Sequence, residues 1–315
     1  MALPEGLVIA PVPRIGIGTA ALGRPAYITS GRRGDLGTVR SVDLLEARTH
    51  EVLDAAWQAG IRYVDAARSY GHAERFVGSW FAAHPDRRAP AVVGSKWGYR
   101  YVGDWRMDAD PHEVKEHSVA MFDEQWPQTL AALGGPPDVY DVHSVTPDSP
   151  ALTDPELLAR LGGLAAQGVR VGFSTSGPRQ GDAIDAALAL AGGPFSTVQA
   201  TWNALEPSAG PALARAHDAG WFVVIKEAVA NGRLTADEGV AAALAAVDGQ
   251  TPDAHAIGWA LAQPFVDVVL SGAVTPEQLA SNVVARVPAT PREAFAALAE
   301  PPEQYWAERS ALPWT

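Results

Sequence analysis

Four side chains of this sequence can form a proton-transfer set if the fold brings them together: Asp65, Tyr70, Lys96 and His143. Asp65 closes the apolar run IRYVD and Tyr70 follows five residues later, in GIRYVDAARSYGHAE (60–74). Lys96 closes AVVGSK (91–96) and His143 closes DVYDVH (138–143). A phenol is a poor proton donor or base near neutrality, because its pKa is about 10. A neighbouring ammonium lowers that value, and a carboxylate paired with the ammonium keeps the lysine charged in a low-dielectric site. The imidazole adds a hydrogen bond to a substrate oxygen. Together they make a tuned proton donor beside an oxyanion-stabilising group, which suits a carbonyl being reduced or an alcohol being oxidised. Taken singly, a tyrosine packs, an aspartate caps a helix and a histidine serves structure. Lys96 resists that account: the chain has 21 arginines but only three lysines, Lys96, Lys115 and Lys226. A lysine that ends a buried strand needs a partner.

The elements that must position these groups are short β-branched or apolar runs at 14–18, 61–65, 91–96, 138–143, 169–174, 196–200, 221–226 and 266–271. Between them lie stretches such as 44–60, 111–134 and 154–168, whose apolar residues recur at spacings of three and four. Gly60, Gly134, Gly168 and Gly220 stand where helices should stop before the next strand. Eight alternations of strand and helix predict an α/β fold, a (β/α)8 TIM barrel. The chain of 315 residues is read as one domain, 1–315, with an N-terminal β-hairpin at the barrel floor and a C-terminal helical tail. In such a barrel the C-terminal ends of the strands carry function.

Composition narrows the partners. A net charge of −12 argues against nucleic acid. The absence of cysteine excludes disulfides and thiolate sites. No run is apolar enough to cross a membrane, and MALPEGLVIA does not read as a secretory signal. The expectation is a cytoplasmic protein, a monomer or small homo-oligomer, acting on a small-molecule carbonyl or alcohol. No metal is expected, because the eight histidines show no paired ligand spacing.

An ordered series of motifs carries a resemblance: IGIGTAALG (15–23), GIRYVDAARSYGHAERFVG (60–78), GSKWG (94–98), DVYDVH (138–143), VGFS (171–174), VQATWN (198–203), IKEAVANGRL (225–234) and LSGAVTPEQLASN (270–282). Along nearly its whole length the chain resembles the aldo-keto reductase family. The resemblance implies a barrel that binds an extended nicotinamide cofactor without a Rossmann domain. Tyr70 would be the proton donor, Lys96 and Asp65 would tune it, and His143 would orient the carbonyl. Gly18 and Thr19 would line the nicotinamide end, and Ser174 and Gln199 would hold the carboxamide, with Asn203 just beyond. Lys226, Glu227, Ala228, Asn231, Gly232 and Arg233 would follow the pyrophosphate. Ser271, Gly272, Ala273, Gln278 and Asn282 would meet the adenosine. Glu74 and Gly78 match the family pattern but read as structural.

Two departures stand out. Thr175 replaces the asparagine common beside the carboxamide-binding serine, and the uncharged Gly272 and Gln278 stand where many members grip the 2′-phosphate of NADP. NADP(H) is nevertheless the favoured expectation, with Arg233 or Arg286 supplying charge and NAD(H) as the alternative. For the substrate wall, the loop after Lys96 offers Trp97, Tyr99, Tyr101 and Trp105, with Tyr27, Trp202 and Trp306 as further candidates. Arg68 faces either an anionic group or solvent. The function expected is aldehyde or ketone reduction. The alternatives are oxidation of the anomeric carbon of a sugar, and a cofactor-binding regulatory or scaffold subunit without turnover.

Overall fold

The computed structural model describes residues 14–28, 34–35, 37, 40–236 and 238–314; the hairpin expected at the N-terminus lies outside them. The apolar runs form eight strands: β1 (Ile15–Gly18), β2 (Tyr63–Asp65), β3 (Val92–Trp97), β4 (Val139–Val145), β5 (Arg170–Thr175), β6 (Phe195–Thr201), β7 (Phe222–Lys226) and β8 (Val268–Ser271). They pair in parallel, each with its sequence neighbours, and β1 pairs with β8 to close the barrel. Helices α1 (Val42–Gln58), α2 (Ala73–Ala83), α3 (Val119–Leu133), α4 (Pro155–Ala166), α5 (Gln180–Leu188) and α6 (Gly210–Asp218) follow β1 to β6 in turn. The pair α7 (Val240–Val247) and α8 (Pro252–Leu261) follows β7, and α9 (Pro276–Val283), α10 (Arg292–Ala296) and α11 (Pro302–Ser310) follow β8. This is the (β/α)8 barrel that the alternation predicts.

Gly60, Gly134, Gly168 and Gly220 all take positive φ, as a glycine stop requires. The helical spacing read over 111–134 holds only from Val119. Glu113–Lys115 instead pairs antiparallel with Tyr99–Tyr101, and the Ser118 hydroxyl caps the helix by accepting from the Met121 N–H. Gly78 is structural, as expected: a Cβ there would overlap the Ala132 carbonyl where α2 crosses α3.

Strand alternation decides what fills the barrel. Near the N-terminal ends of the strands, Tyr63, Val92, Val139, Phe222, Val224 and Val268 form an apolar plug. Two residues further along each strand the inward positions turn polar: Asp65 after Tyr63, Asp141 after Val139, Lys226 after Val224, with Lys96, Thr197 and Gln199 beside them. Gly172 makes room for this layer. A Cβ on it would lie 2.7 Å from Asp141 Oδ1 and overlap Thr197 Oγ1.

Candidate active site

The polar layer is organised by one buried ion pair. Lys96 Nζ donates to Asp65 Oδ2 at 2.6 Å and to the Ala66 carbonyl at 3.0 Å. The other carboxylate oxygen, Asp65 Oδ1, accepts from Gln199 Nε2 at 2.8 Å. The two charged side chains are only 1% and 4% exposed. Thr19 supports the pair from behind, its N–H and Oγ1 donating to the Asp65 carbonyl at 2.9 and 2.8 Å.

Beside Lys96 in register lies Asp141, which receives Thr197 Oγ1 at 3.0 Å. Burial pushes its carboxyl up to about 7, against the lowering effects of Lys96 and the Thr197 hydrogen bond. Asp141 was not among the expected site residues. Alternation could have found it, because it precedes His143 by two and therefore shares its face.

Tyr70 rises above this layer on the loop after β2. That loop is pinned to β3 by Ala66 N–H donating to the Gly94 carbonyl and Arg68 N–H donating to the Lys96 carbonyl, both at 2.9 Å. The Arg68 side chain, left open by the sequence, pairs with buried Glu74 and donates to Gln128 Oε1 at 3.1 Å. Glu74 also accepts from Ser95 and Thr129, so it clamps the loop to the helix layer. Tyr70 Oη then stands 3.5 Å from His143 Nε2, and Lys96 Nζ lies 4.9 Å from the phenol ring centroid. The far nitrogen of the imidazole, Nδ1, meets Ser69 Oγ at 3.3 Å.

The electrostatics differ from expectation in one respect. Burial, with Asp65 next, holds the Tyr70 phenol well above its ordinary value, so in this site it is a firmly protonated donor. Burial, with Lys96, Lys226 and Arg24, holds His143 well below its ordinary value, which leaves the ring neutral.

Tyr70 and His143 open onto a cavity of about 300 Å³ at the C-terminal ends of the strands. Its walls include Gly18, Tyr27, Asp65, Gln199, Lys226, Glu227, Ala228, Asn231, Gly232, Ser271, Gly272, Ala273, Gln278 and Asn282 from the expected set. They also include residues that sequence reasoning missed: Arg24, Glu113, Ser144, Ser176, Asp253, Arg309 and Trp314. Three non-glycine residues on these walls take positive φ: Ser144 at 59°, Glu227 at 58° and Asn231 at 54°. Such conformations are uncommon and cluster at ligand sites.

Glu227 is gripped by Arg309 of α11 through hydrogen bonds of 2.6 to 3.1 Å. Although burial opposes it, Arg309 with Lys226 holds that carboxylate down to about 2. Lys226, 2.6 Å from Thr201 Oγ1, is lowered by burial to about 8 against the pull of Glu227.

Several expected side chains do not reach the cavity. Trp97 follows Lys96 on one strand, so alternation turns it outward, and it is fully buried against Phe122 with ring centroids 5.2 Å apart. Trp202 packs outward on Trp259 and Phe265, each at 5.9 Å. Trp306 is buried beside Tyr305 on the inner face of α11. Trp105 donates to the Arg40 carbonyl at 2.8 Å and lies against His72. Ser174 is buried, its Oγ accepting from the Ser144 N–H at 2.8 Å. Arg233 pairs with Glu300 and Glu308, away from the cavity. Asn203 holds structure, its Nδ2 donating to the Glu227 carbonyl at 2.9 Å. Among the described residues no group of three or more His, Asp or Glu could hold a metal ion. No described helix is long and apolar enough to cross a membrane.

A closed parallel barrel thus carries a buried lysine–carboxylate pair, a phenol and an imidazole at one mouth. The model of the aldo/keto reductase family matches residues 14–300, and the chain belongs to that family. An aldo-keto reductase of Strobilurus tenacellus is 28% identical over 139 residues, 44% of this chain and 35% of that protein. The matched segment thus spans about a third of that relative. Among solved structures, an aldo-keto reductase of Bacillus halodurans superposes with a TM-score of 0.69 at 22% identity, covering 94% of this chain and 95% of that one. A glycerol dehydrogenase of Gluconobacter oxydans gives a TM-score of 0.69 at 22% identity, covering 98% and 95%.

The raised pKa of Asp141 carries a sign. Its native value, about 7, lies above its ordinary 3.8, so its contribution to stability is complete only at acidic pH and is lost as pH rises through about 7. The Asp141→Asn variant, neutral throughout, should therefore gain on the wild type as pH rises. Thermal melts at pH 5 and pH 8 should show the difference in Tm moving in the variant's favour by at least about 2 °C. An unchanged difference would mean that Asp141 is ionised throughout.

Proposed function

We propose that this chain catalyses nicotinamide-dependent carbonyl reduction, with Tyr70 giving the proton. The convergence of Tyr70 Oη and His143 Nε2, 3.5 Å apart above Lys96, carries this reading. The cavity walls fit an extended nicotinamide cofactor. Asn231 Oδ1 is buried there without a hydrogen-bond partner, and a Cβ on Gly272 would project into open space. On this reading Gly18 and Gln199 flank the nicotinamide, while Lys226, Ala228, Asn231 and Gly232 hold the pyrophosphate. Ser271, Gly272, Ala273, Gln278 and Asn282 hold the adenosine. When bound, the cofactor supplies hydride from nicotinamide C4.

The protein's own groups do the rest. Neutral His143 donates an N–H to the carbonyl oxygen, with Ser69 fixing the ring. The protonated Tyr70 phenol keeps its proton until the oxygen becomes alkoxide-like, then transfers it, and Lys96 balances the phenolate left behind. Reversal of the same steps oxidises an alcohol.

We further infer NAD(H) rather than the NADP(H) expected from sequence. The two arginines expected to supply charge are engaged elsewhere: Arg233 with Glu300 and Glu308, Arg286 with the carbonyls of Asp248 and Gly249. At the adenosine end the described walls carry Asp253, which accepts from Ser281 and Asn282, beside uncharged Gly272 and Gln278, and Arg40 on the same wall donates to the Pro25 and Gly37 carbonyls. The Asp253 carboxylate, with no charge at Gly272 or Gln278, disfavours a 2′-phosphate.

Two outcomes test the proposal. Replacing Tyr70 with Phe should lower kcat by at least about a hundredfold while changing cofactor affinity less than about threefold; near-normal turnover would sink the mechanism. In titrations followed by cofactor fluorescence, NADH should bind at least about tenfold more tightly than NADPH. A preference for NADPH would reverse the cofactor assignment.

A further inference from the structure

Of the chain's three lysines, all within the described residues, Lys226 alone borders the cavity. Lys115 lies exposed on the Glu113–Lys115 strand, and Lys96 is closed off between Asp65 and the Ala66 carbonyl. The Lys226 side chain, at the end of β7, keeps 16% of its surface exposed.

Around it two cations share one carboxylate. Arg309 grips Glu227 at 2.6 to 3.1 Å, whereas Lys226 Nζ stands 3.6 Å from Glu227 Oε1. A guanidinium does not give up its proton in a protein, so burial and the surplus positive charge fall on the ammonium and favour its neutral amine. Lys96 and His143 face the same mouth, and Lys96 adds to that pressure. A lysine desolvated beside another cation is the activated form of this nucleophile.

Thr201 settles where the amine's lone pair goes. Its Oγ1 donates to Glu227 Oε2 at 3.2 Å and accepts from Lys226 Nζ at 2.6 Å. The hydroxyl proton is thereby committed to the carboxylate, so Thr201 can accept from a neutral amine but not donate to it. A neutral Lys226 keeps its hydrogen bond and leaves its lone pair for a ligand.

We propose that Lys226 is a reversible covalent site for small aldehydes, which it captures as imines at the cavity wall. The Nζ lone pair bonds to the carbonyl carbon, the C=O π pair moves to oxygen, and one N–H proton follows it to give a carbinolamine. Loss of the second N–H proton together with the hydroxyl releases water and leaves C=N. One amine and one aldehyde thus give one imine and one water, with nothing oxidised or reduced. Because Lys226 also lies on the wall assigned to the pyrophosphate, imine and cofactor exclude each other, and excess aldehyde should inhibit its own reduction. That consequence rests on the oxidoreductase reading; the imine does not.

The test treats the full chain with propanal and sodium cyanoborohydride, which fixes imines as propyl amines, and maps the label by mass spectrometry. In the wild type Lys226 should carry at least about ten times as much label as Lys115, and the Lys226→Arg variant should lose it. Label spread evenly or mainly on Lys115 would mean adventitious alkylation only and would overturn the site, and this wild-type map decides the matter even if the variant does not fold. An unlabelled Lys226 in a protein that still reduces propanal with NADH would overturn the imine site alone. Saturating NADH should lower the label on Lys226 by at least about fivefold. A label that NADH leaves unchanged would uphold the imine site and overturn the assignment of Lys226 to the pyrophosphate.

Discussion

The contact between Lys96 and Asp65 governs the interior of this barrel. Two charges removed from water cost several kcal/mol each unless their mutual attraction and further hydrogen bonds offset the loss. Here the ammonium has the Ala66 carbonyl as well as the carboxylate, and the carboxylate has Gln199. The surrounding sequence follows from that need. Gly172 leaves room for Thr197 and Asp141, and Asp141 ionises only near neutrality chiefly because it is buried, with the neighbouring Asp65 carboxylate adding a smaller push. The Tyr70 loop is tied to the strand that carries the lysine, so the phenol's position is inherited from the ion pair.

The mouth is organised by charge in the same way, but from more distant parts of the chain. Arg309 reaches back 82 residues to Glu227, and that bond docks α11 over the cavity. Arg24 and Trp314 meet from opposite ends of the sequence, with Glu113 brought to them by the Tyr99–Tyr101 hairpin. Ser144, Glu227 and Asn231 on this rim carry backbone strain of order 1 kcal/mol each. A rigid plug below and a strained, charged rim above is the division expected when one end of a barrel serves stability and the other serves a ligand.

What could be read from the sequence follows the same division. Strand ends are local: an apolar run that stops on Asp65, Lys96 or His143 reveals a polar residue at the mouth, and the ordered motifs place the glycines and amides around it. The tryptophans misled because ring type carries no direction. Trp97 is adjacent to Lys96, and adjacency on a strand means opposite faces. The same alternation would have exposed Asp141. Arg24, Glu113, Arg309 and Trp314 left no such trace, since each acquires its role through a partner far away in the chain.

The central claim is that Asp65 and Lys96 act as one unit on which the site is built. A double-mutant cycle on unfolding free energy at pH 7, using Asp65→Asn, Lys96→Met and the pair together, tests it most directly. Each single substitution strands a buried group and should cost about 3–5 kcal/mol. The double variant should cost less than the two singles combined by at least about 1 kcal/mol. Additivity within about 0.5 kcal/mol would contradict the account.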